Sequence, residues 1–156
     1  MKYGESTAPE IETVAASIVD AAFKVHTALG PGLLESVYEV CLARELAKRA
    51  LKVQRQARVP IMYDGEQVDA DLRLDLLVED LVIVEIKAVE KMIPLFDAQL
   101  LTYLKLTNRQ LGLLINFNVP RIKDGIRRII RSERYHEGTR QEKMNREGAK
   151  TQREEG

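Results

Sequence analysis

The chain has no tryptophan, three phenylalanines, five tyrosines and a single cysteine. A core must therefore come almost entirely from aliphatic side chains, and 156 residues are enough to bury one of domain size. One cysteine excludes an internal disulfide framework and any multi-cysteine zinc site. Cys41 falls on the apolar stripe of a helical pattern and reads as a small buried hydrophobe. No apolar run approaches the ~20 residues of a membrane-spanning helix, and the opening "MKYGESTAPEIE" carries no apolar signal segment. The expectation is a soluble, cytoplasmic protein. Charge of one sign is also missing overall: 24 Lys and Arg balance 24 Asp and Glu, which argues against blanketing nucleic acid through bulk electrostatics. The charge is unevenly spread, however. Residues 119–156 hold 11 Lys and Arg against 7 Asp and Glu, and Arg44, Lys48, Arg49, Lys52, Arg55 and Arg58 are opposed locally only by Glu45.

Periodicity supplies an order of elements. Thr7-Ala8-Pro9-Glu10 offers a capping hydroxyl, a first-turn proline and a glutamate three residues after the cap. Ile11, Val14, Ile18, Ala22, Val25 and Leu29 continue at helical spacing until Gly30. His26, near that end, can serve the helix dipole as readily as any chemistry. Leu33, Leu34, Val37, Tyr38, Cys41, Leu42 and Leu46 mark a second helix to about Ala50. The period then falls to two. Val53, Val59, Ile61 and Tyr63 belong to a strand, Asp64-Gly65 is a hairpin turn, and a second strand runs from about Val68 to Val78. "VIVEIKAV", Val82 to Val89, is the third. A helix from Pro94 to near Asn108 follows, then the apolar strand "LGLLINF", Leu111 to Phe117, and a last helix expected from about Pro120 to Arg131. A domain over 9–134 is expected, with residues 1–8 an extension and 135–156 a charged, disordered tail. The fold class is α/β, a mixed sheet flanked by helices, because a lone strand after a crossover helix must rejoin the same core.

The third strand poses the chemical question. Glu85 and Lys87 lie two apart on a buried strand, hence on one face, where an ionised side chain costs several kcal/mol unless paired or metal-bound. A two-residue loop at Glu79-Asp80 would put Asp75 opposite Val84, on the wrong face. A three-residue loop or bulge instead pairs Asp75 with Glu85 and sends Leu72, Leu74, Leu76, Val78, Val82, Val84 and Ile86 to one apolar face; this register is the expectation. Adjacent carboxylates raise each other's pKa unless a cation intervenes. An oxygen-only site of two carboxylates, water and a main-chain carbonyl suits Mg²⁺ or Mn²⁺ rather than zinc. Lys87 beside it can hold a water for attack or neutralise phosphoryl charge. The bland alternative is an ion pair of Lys87 with Glu85 or Asp75. Two further pairs share helix faces: Glu35 with Tyr38 in "GLLESVYE", and Gln99 with Tyr103.

These residues resemble a known pattern. Asp75 followed by Glu85-Ile86-Lys87, on the second and third strands of such a core, looks like the PD-(D/E)XK nuclease superfamily, whose restriction-endonuclease-like core would here have the order ααβββαβα. "QLLTY", Gln99 to Tyr103, is similar to the Gln-x-x-x-Tyr element of the RecB-like lineage. "GLLESVY", Gly32 to Tyr38, resembles the signature of the GxxExxY protein family, as do "YLKL", "LGLLINF" and "GIRRII". The similarity covers roughly Ile11 to Ile130; Leu74 stands where the superfamily pattern has proline. The resemblance implies a metal-dependent phosphodiesterase. Asp75 and Glu85 would be metal ligands with the Ile86 carbonyl as a third, and Lys87 would lie near the attacking water. Glu35 would act on the metal directly or through water, and Gln99 and Tyr103, with Tyr38 beside Glu35, would complete the catalytic set.

Three readings follow. The first is a Mg²⁺- or Mn²⁺-dependent nuclease acting on nucleic acid, DNA before RNA. The second is a catalytically silent nucleic-acid-binding or oligomeric scaffold module that keeps the fold and binds phosphates through Arg127, Arg128, Arg131 and Arg134. In a third reading, the apolar faces of the first or last helix build a homo-oligomer.

Overall fold

A computed structural model of the chain describes residues 6–132. Two helices, α1 (Pro9–Leu29) and α2 (Glu35–Lys48), precede a long hairpin of β1 (Val53–Tyr63) and β2 (Glu66–Val78). There follow β3 (Val82–Lys87), helix α3 (Pro94–Thr107), β4 (Leu111–Asn116), a single 3₁₀ turn (Ile122–Gly125) and β5 (Ile126–Ile130). The sheet order is β1-β2-β3-β4-β5. Only β3 and β4 run parallel, because α3 carries the chain between them; the other neighbours are antiparallel. The mixed α/β class expected from the sequence is what the chain adopts.

Each face of the sheet buries one apolar layer. α1 and α2 cover the first with Ile11, Val14, Ile18, Leu42 and Leu46 against Leu76, Val78, Val84, Ile86 and Leu113. α3 covers the second with Leu100 and Leu104 against Leu74, Leu77, Ile83 and Leu114. Each such aliphatic side chain contributes about 1.5–3 kcal/mol when fully buried. β3 and β4, covered on both faces, are accordingly apolar nearly throughout.

Local chemistry explains the ends. α1 has no side-chain cap; its cap residue is Ala8, one place later than the sequence suggests. The Thr7 amide and hydroxyl instead donate to Glu12 at 2.8 Å each, which ties the entry strand to the first turn. Gly30 ends α1 at φ 68°, a left-handed value suited to glycine. His26 is part of this architecture: its Nε2 donates to the Val119 carbonyl at 2.8 Å.

The expected last helix is not formed. After the 3₁₀ turn, "IRRII" pairs antiparallel with β4, Ile115 opposite Ile126 and Leu111 opposite Ile130. β4 needs a partner for its outer backbone edge, and a run of three β-branched isoleucines packs better on a pleated surface than on a helix. The turn into β5 brings Gly125 so close to β4 that an added Cβ would lie 2.1 Å from the Asn116 carbonyl oxygen. Gly125→Ala should therefore destabilise the protein by about 3 kcal/mol. Urea unfolding checks it; a variant as stable as the parent would show that the turn is not held against β4.

Candidate functional site

The site forms where β2 and β3 part. Val78 pairs with Val82, Leu77 with Ile83 and Leu76 with Val84, so a three-residue connection sets the register expected from the sequence, and its continuation brings Asp75 opposite Glu85. At that step the backbone ladder gives way to a reciprocal exchange. The Asp75 amide donates to Glu85 Oε1 at 3.2 Å, and the Ile86 amide donates to Asp75 Oδ2 at 2.8 Å. Each carboxylate takes a backbone N–H of the other strand, which satisfies donors a diverging ladder would leave unpaired.

One part of the expected pattern fails here. Leu72 and Leu74 do not share a face with Leu76 and Val78; they pack toward α3, while Leu76 and Val78 pack under α1 and α2. β1 turns over at the same level, with Val53 on the first side and Ala57 and Val59 on the second. The turnover falls at Gln56, which the register places opposite Asp75 and which has a left-handed φ of 52°. Strict two-residue alternation cannot foresee a strand pair that rolls over midway.

Glu85 is 7% exposed. Burial, then the neighbouring Asp75 charge, push its carboxyl up to about 8, and Lys87 opposes the shift only weakly. The Lys87 ammonium lies over the Phe96 ring, 4.4 Å from its centre, rather than in an ion pair. Helix α3 adds Tyr103, about one turn after Gln99; burial and the Glu85 charge raise its phenol. The backbone after Lys87 is clamped. Phe117 N–H donates to the Lys87 carbonyl at 2.9 Å, and the buried Asn116 amide accepts from Val89 N at 3.1 Å and donates to Val89 O at 3.0 Å.

On the α2 side a cleft of about 570 Å³ is lined by Leu33, Glu35, Glu39, Gln56, Asp75 and Ile86. Glu35, exposed at the start of α2, accepts from the Ala88 amide at 3.3 Å. It shares the cleft with Asp75, yet among the described residues no three His, Cys, Asp or Glu side chains are grouped closely enough to hold one ion. Tyr38 does not enter the site. It is fully buried, stacked on Phe117 at 4.5 Å, with its hydroxyl donating to Gly30 O at 2.6 Å and accepting from Leu33 N at 3.1 Å. Its inward stripe position takes it to the core, where it shapes the turn that presents Glu35.

The basic residues also have structural work. Arg127 pairs with Asp97 at 2.7 Å, and Arg131 donates to Arg109 O and Asn108 Oδ1. Arg128 binds Glu12, and this hydrogen bond, against an opposing desolvation effect, holds the Glu12 carboxyl down at about 2. These three stitch β5 to the helices; Arg134 lies outside the described residues. Sequence reasoning missed Glu39, Gln56 and Asn116. Glu39 was accessible in principle, four residues after Glu35 on the same helical face; no sequence signal marked the other two.

The chemistry of this donor set fits a divalent cation. Burial and the Asp75 charge favour a proton on Glu85, and a cation bound by both carboxyls would take that proton's place. The direction of the Glu85 shift has a consequence for the metal-free protein. A carboxyl raised in the folded state adds stability that is complete below its ordinary value near 4.5 and is lost as pH rises through about 8. Stability in EDTA should fall between pH 5 and 8 by up to roughly 4 kcal/mol, and Glu85→Gln should flatten the slope. Urea titrations at several pH values test this; a slope unchanged by the substitution would contradict the placement of Glu85.

Comparison with known proteins gives the family. A family model described as the PD-(D/E)XK nuclease superfamily matches residues 12–129. A solved structure, an alkaline exonuclease from Laribacter hongkongensis, is similar at 17% identity and a TM-score of 0.41, covering 90% of this chain and 98% of that one. Among curated proteins, none matches. The match extends over the helices, the acidic strand pair and β5, and the chain belongs to the PD-(D/E)XK nuclease superfamily.

Proposed function

We propose that this protein is a Mg²⁺-dependent nuclease that hydrolyses phosphodiester bonds of nucleic acid, DNA before RNA, and that Mn²⁺ can replace Mg²⁺. The observation that carries the reading is the reciprocal Asp75–Glu85 exchange at the mouth of a cleft, in a chain of a nuclease superfamily. Membership of the GxxExxY family, on "GLLESVY" and the elements after it, is part of the same proposal, as is a working domain over 9–134.

Asp75 and Glu85 would hold the cation, with the Ile86 carbonyl as a further oxygen and Glu35 acting through water. Bound there, a divalent ion supplies positive charge to the phosphoryl group and acidifies water. The chain's own groups do the rest. Lys87, half-buried beside Glu85, presents an ammonium to the attacking water or a phosphoryl oxygen; its seat over Phe96 limits where that charge can go. Tyr103 and Gln99, about one turn apart on α3, orient the phosphate from the α3 side. Glu85 must be deprotonated to bind a cation, so metal binding and proton release are coupled.

The silent scaffold is the competing reading. Its phosphate contacts were to come from the C-terminal arginines, and the described ones are engaged with Asp97, Glu12, Asn108 and the Arg109 carbonyl. Cleavage assays on single- and double-stranded DNA and RNA, with Mg²⁺ and with Mn²⁺, decide between them. The nuclease predicts metal-dependent cleavage lowered about 100-fold or more by Asp75→Ala or Lys87→Ala. No cleavage of any substrate with either ion, or cleavage unaffected by both substitutions, would sink it.

A further inference from the structure

Gln56 occupies a position that nothing in its side-chain chemistry demands. Its φ of 52° places a non-glycine residue in strained left-handed backbone in the middle of β1. Backbone geometry alone would be better served by glycine. The glutamine does more than fill a conformation: its Nε2 donates to Glu39 Oε1 at 2.5 Å and reaches Asp75 Oδ1 at 3.5 Å. With a carboxylate on either side, the amide orientation follows from chemistry, since only the NH₂ end can donate to both. Glu39 is itself fixed. It is 7% exposed on α2, and Arg55 donates to its other oxygen at 3.0 Å.

A chain of contacts thus runs from Arg55 through Glu39 and Gln56 to Asp75. It supplies what the reciprocal exchange leaves open. Among the described residues, Asp75 Oδ2 accepts from the Ile86 amide and Oδ1 from the Gln56 amide. A carboxylate held at one oxygen still turns about its Cβ–Cγ bond, and the second contact limits that rotation toward the cleft. We propose that Gln56, anchored by Glu39, is a positioning residue that sets the orientation of the Asp75 carboxylate for binding a divalent cation. This deepens the nuclease reading and rests on its assignment of Asp75 as a metal ligand. The left-handed backbone turns the hairpin over and the amide aims the carboxylate; one residue carries both tasks.

The two tasks separate by substitution. Gln56→Gly keeps the backbone conformation and deletes the amide. Gln56→Asn tolerates left-handed backbone but holds its amide one methylene short. Glu39→Ala keeps Gln56 and removes its anchor. Mn²⁺ binding to the full chain is measured by titration calorimetry at fixed pH, with thermal unfolding in EDTA alongside and Asp75→Ala as the reference. The expected result is parent binding that Asp75→Ala abolishes. Gln56→Gly should match or exceed the parent in Tm yet bind Mn²⁺ about 10-fold more weakly, as loss of a ligand-orienting partner does. Gln56→Asn and Glu39→Ala should show a similar loss. The double variant Gln56→Gly with Glu39→Ala should lose no more than either alone, because both cut the same chain. Parent-like Mn²⁺ affinity in Gln56→Gly, or additive losses in the double variant, would overturn the positioning role and leave the metal site standing. A parent that binds no Mn²⁺, or an Asp75→Ala variant that binds as well as the parent, would overturn the site assignment and this inference with it.

Discussion

Everything distinctive about this protein depends on the exchange of backbone donors for side-chain acceptors between Asp75 and Glu85. Two antiparallel strands that part in mid-sheet leave N–H groups without partners, and a buried orphan donor costs about 1–3 kcal/mol. Here the Asp75 and Ile86 amides are satisfied by the carboxylates of Glu85 and Asp75. The solution brings two acids together at the edge of a cleft. In the proposed reading structure and chemistry are the same feature: the groups that end the ladder are the groups offered to a cation.

That arrangement constrains its surroundings on both sides. Toward α2, the hairpin must roll over so that Leu74 and Leu76 serve opposite faces, and Gln56 absorbs the turn in left-handed backbone. Toward β4, the parallel pairing of Lys87 with Asn116 sets the exit of β3, and the Asn116 side chain fixes Val89 from both its N–H and C=O. Glu35 and Tyr103 are brought to the rim by two helices that pack on opposite faces of the sheet. The site is thus built on strands and helix faces, with only the Gly30–Leu34 turn and the strand exit as loops.

Much of this was legible in the sequence for identifiable reasons. The strand register followed from requiring Val82, Val84 and Ile86 inside while two charges were compensated, a condition that a three-residue loop or a bulge meets and a two-residue loop does not. Long helices with clean periodicity, such as α1, were equally plain. "GIRRII" misled because Ile122, Ile126, Ile129 and Ile130 fit a helical stripe, whereas the outcome turned on the unpaired edge of β4 and the close approach of Gly125, neither visible locally. Tyr38 misled in another way: its spacing from Glu35 was right, but an inward position on a helix can lead to the core as well as to a site. Gln56 and Asn116 carried no signal because their roles come from backbone conformation and partners distant in sequence.

The central claim is that the Asp75–Glu85 pair is built for a divalent cation and not only to end the ladder. A crystal of the protein soaked in Mn²⁺ above pH 8 and measured at the manganese edge tests it most directly. The account predicts an anomalous peak bonded to carboxylate oxygens of both Asp75 and Glu85. Crystals with no peak there would contradict it.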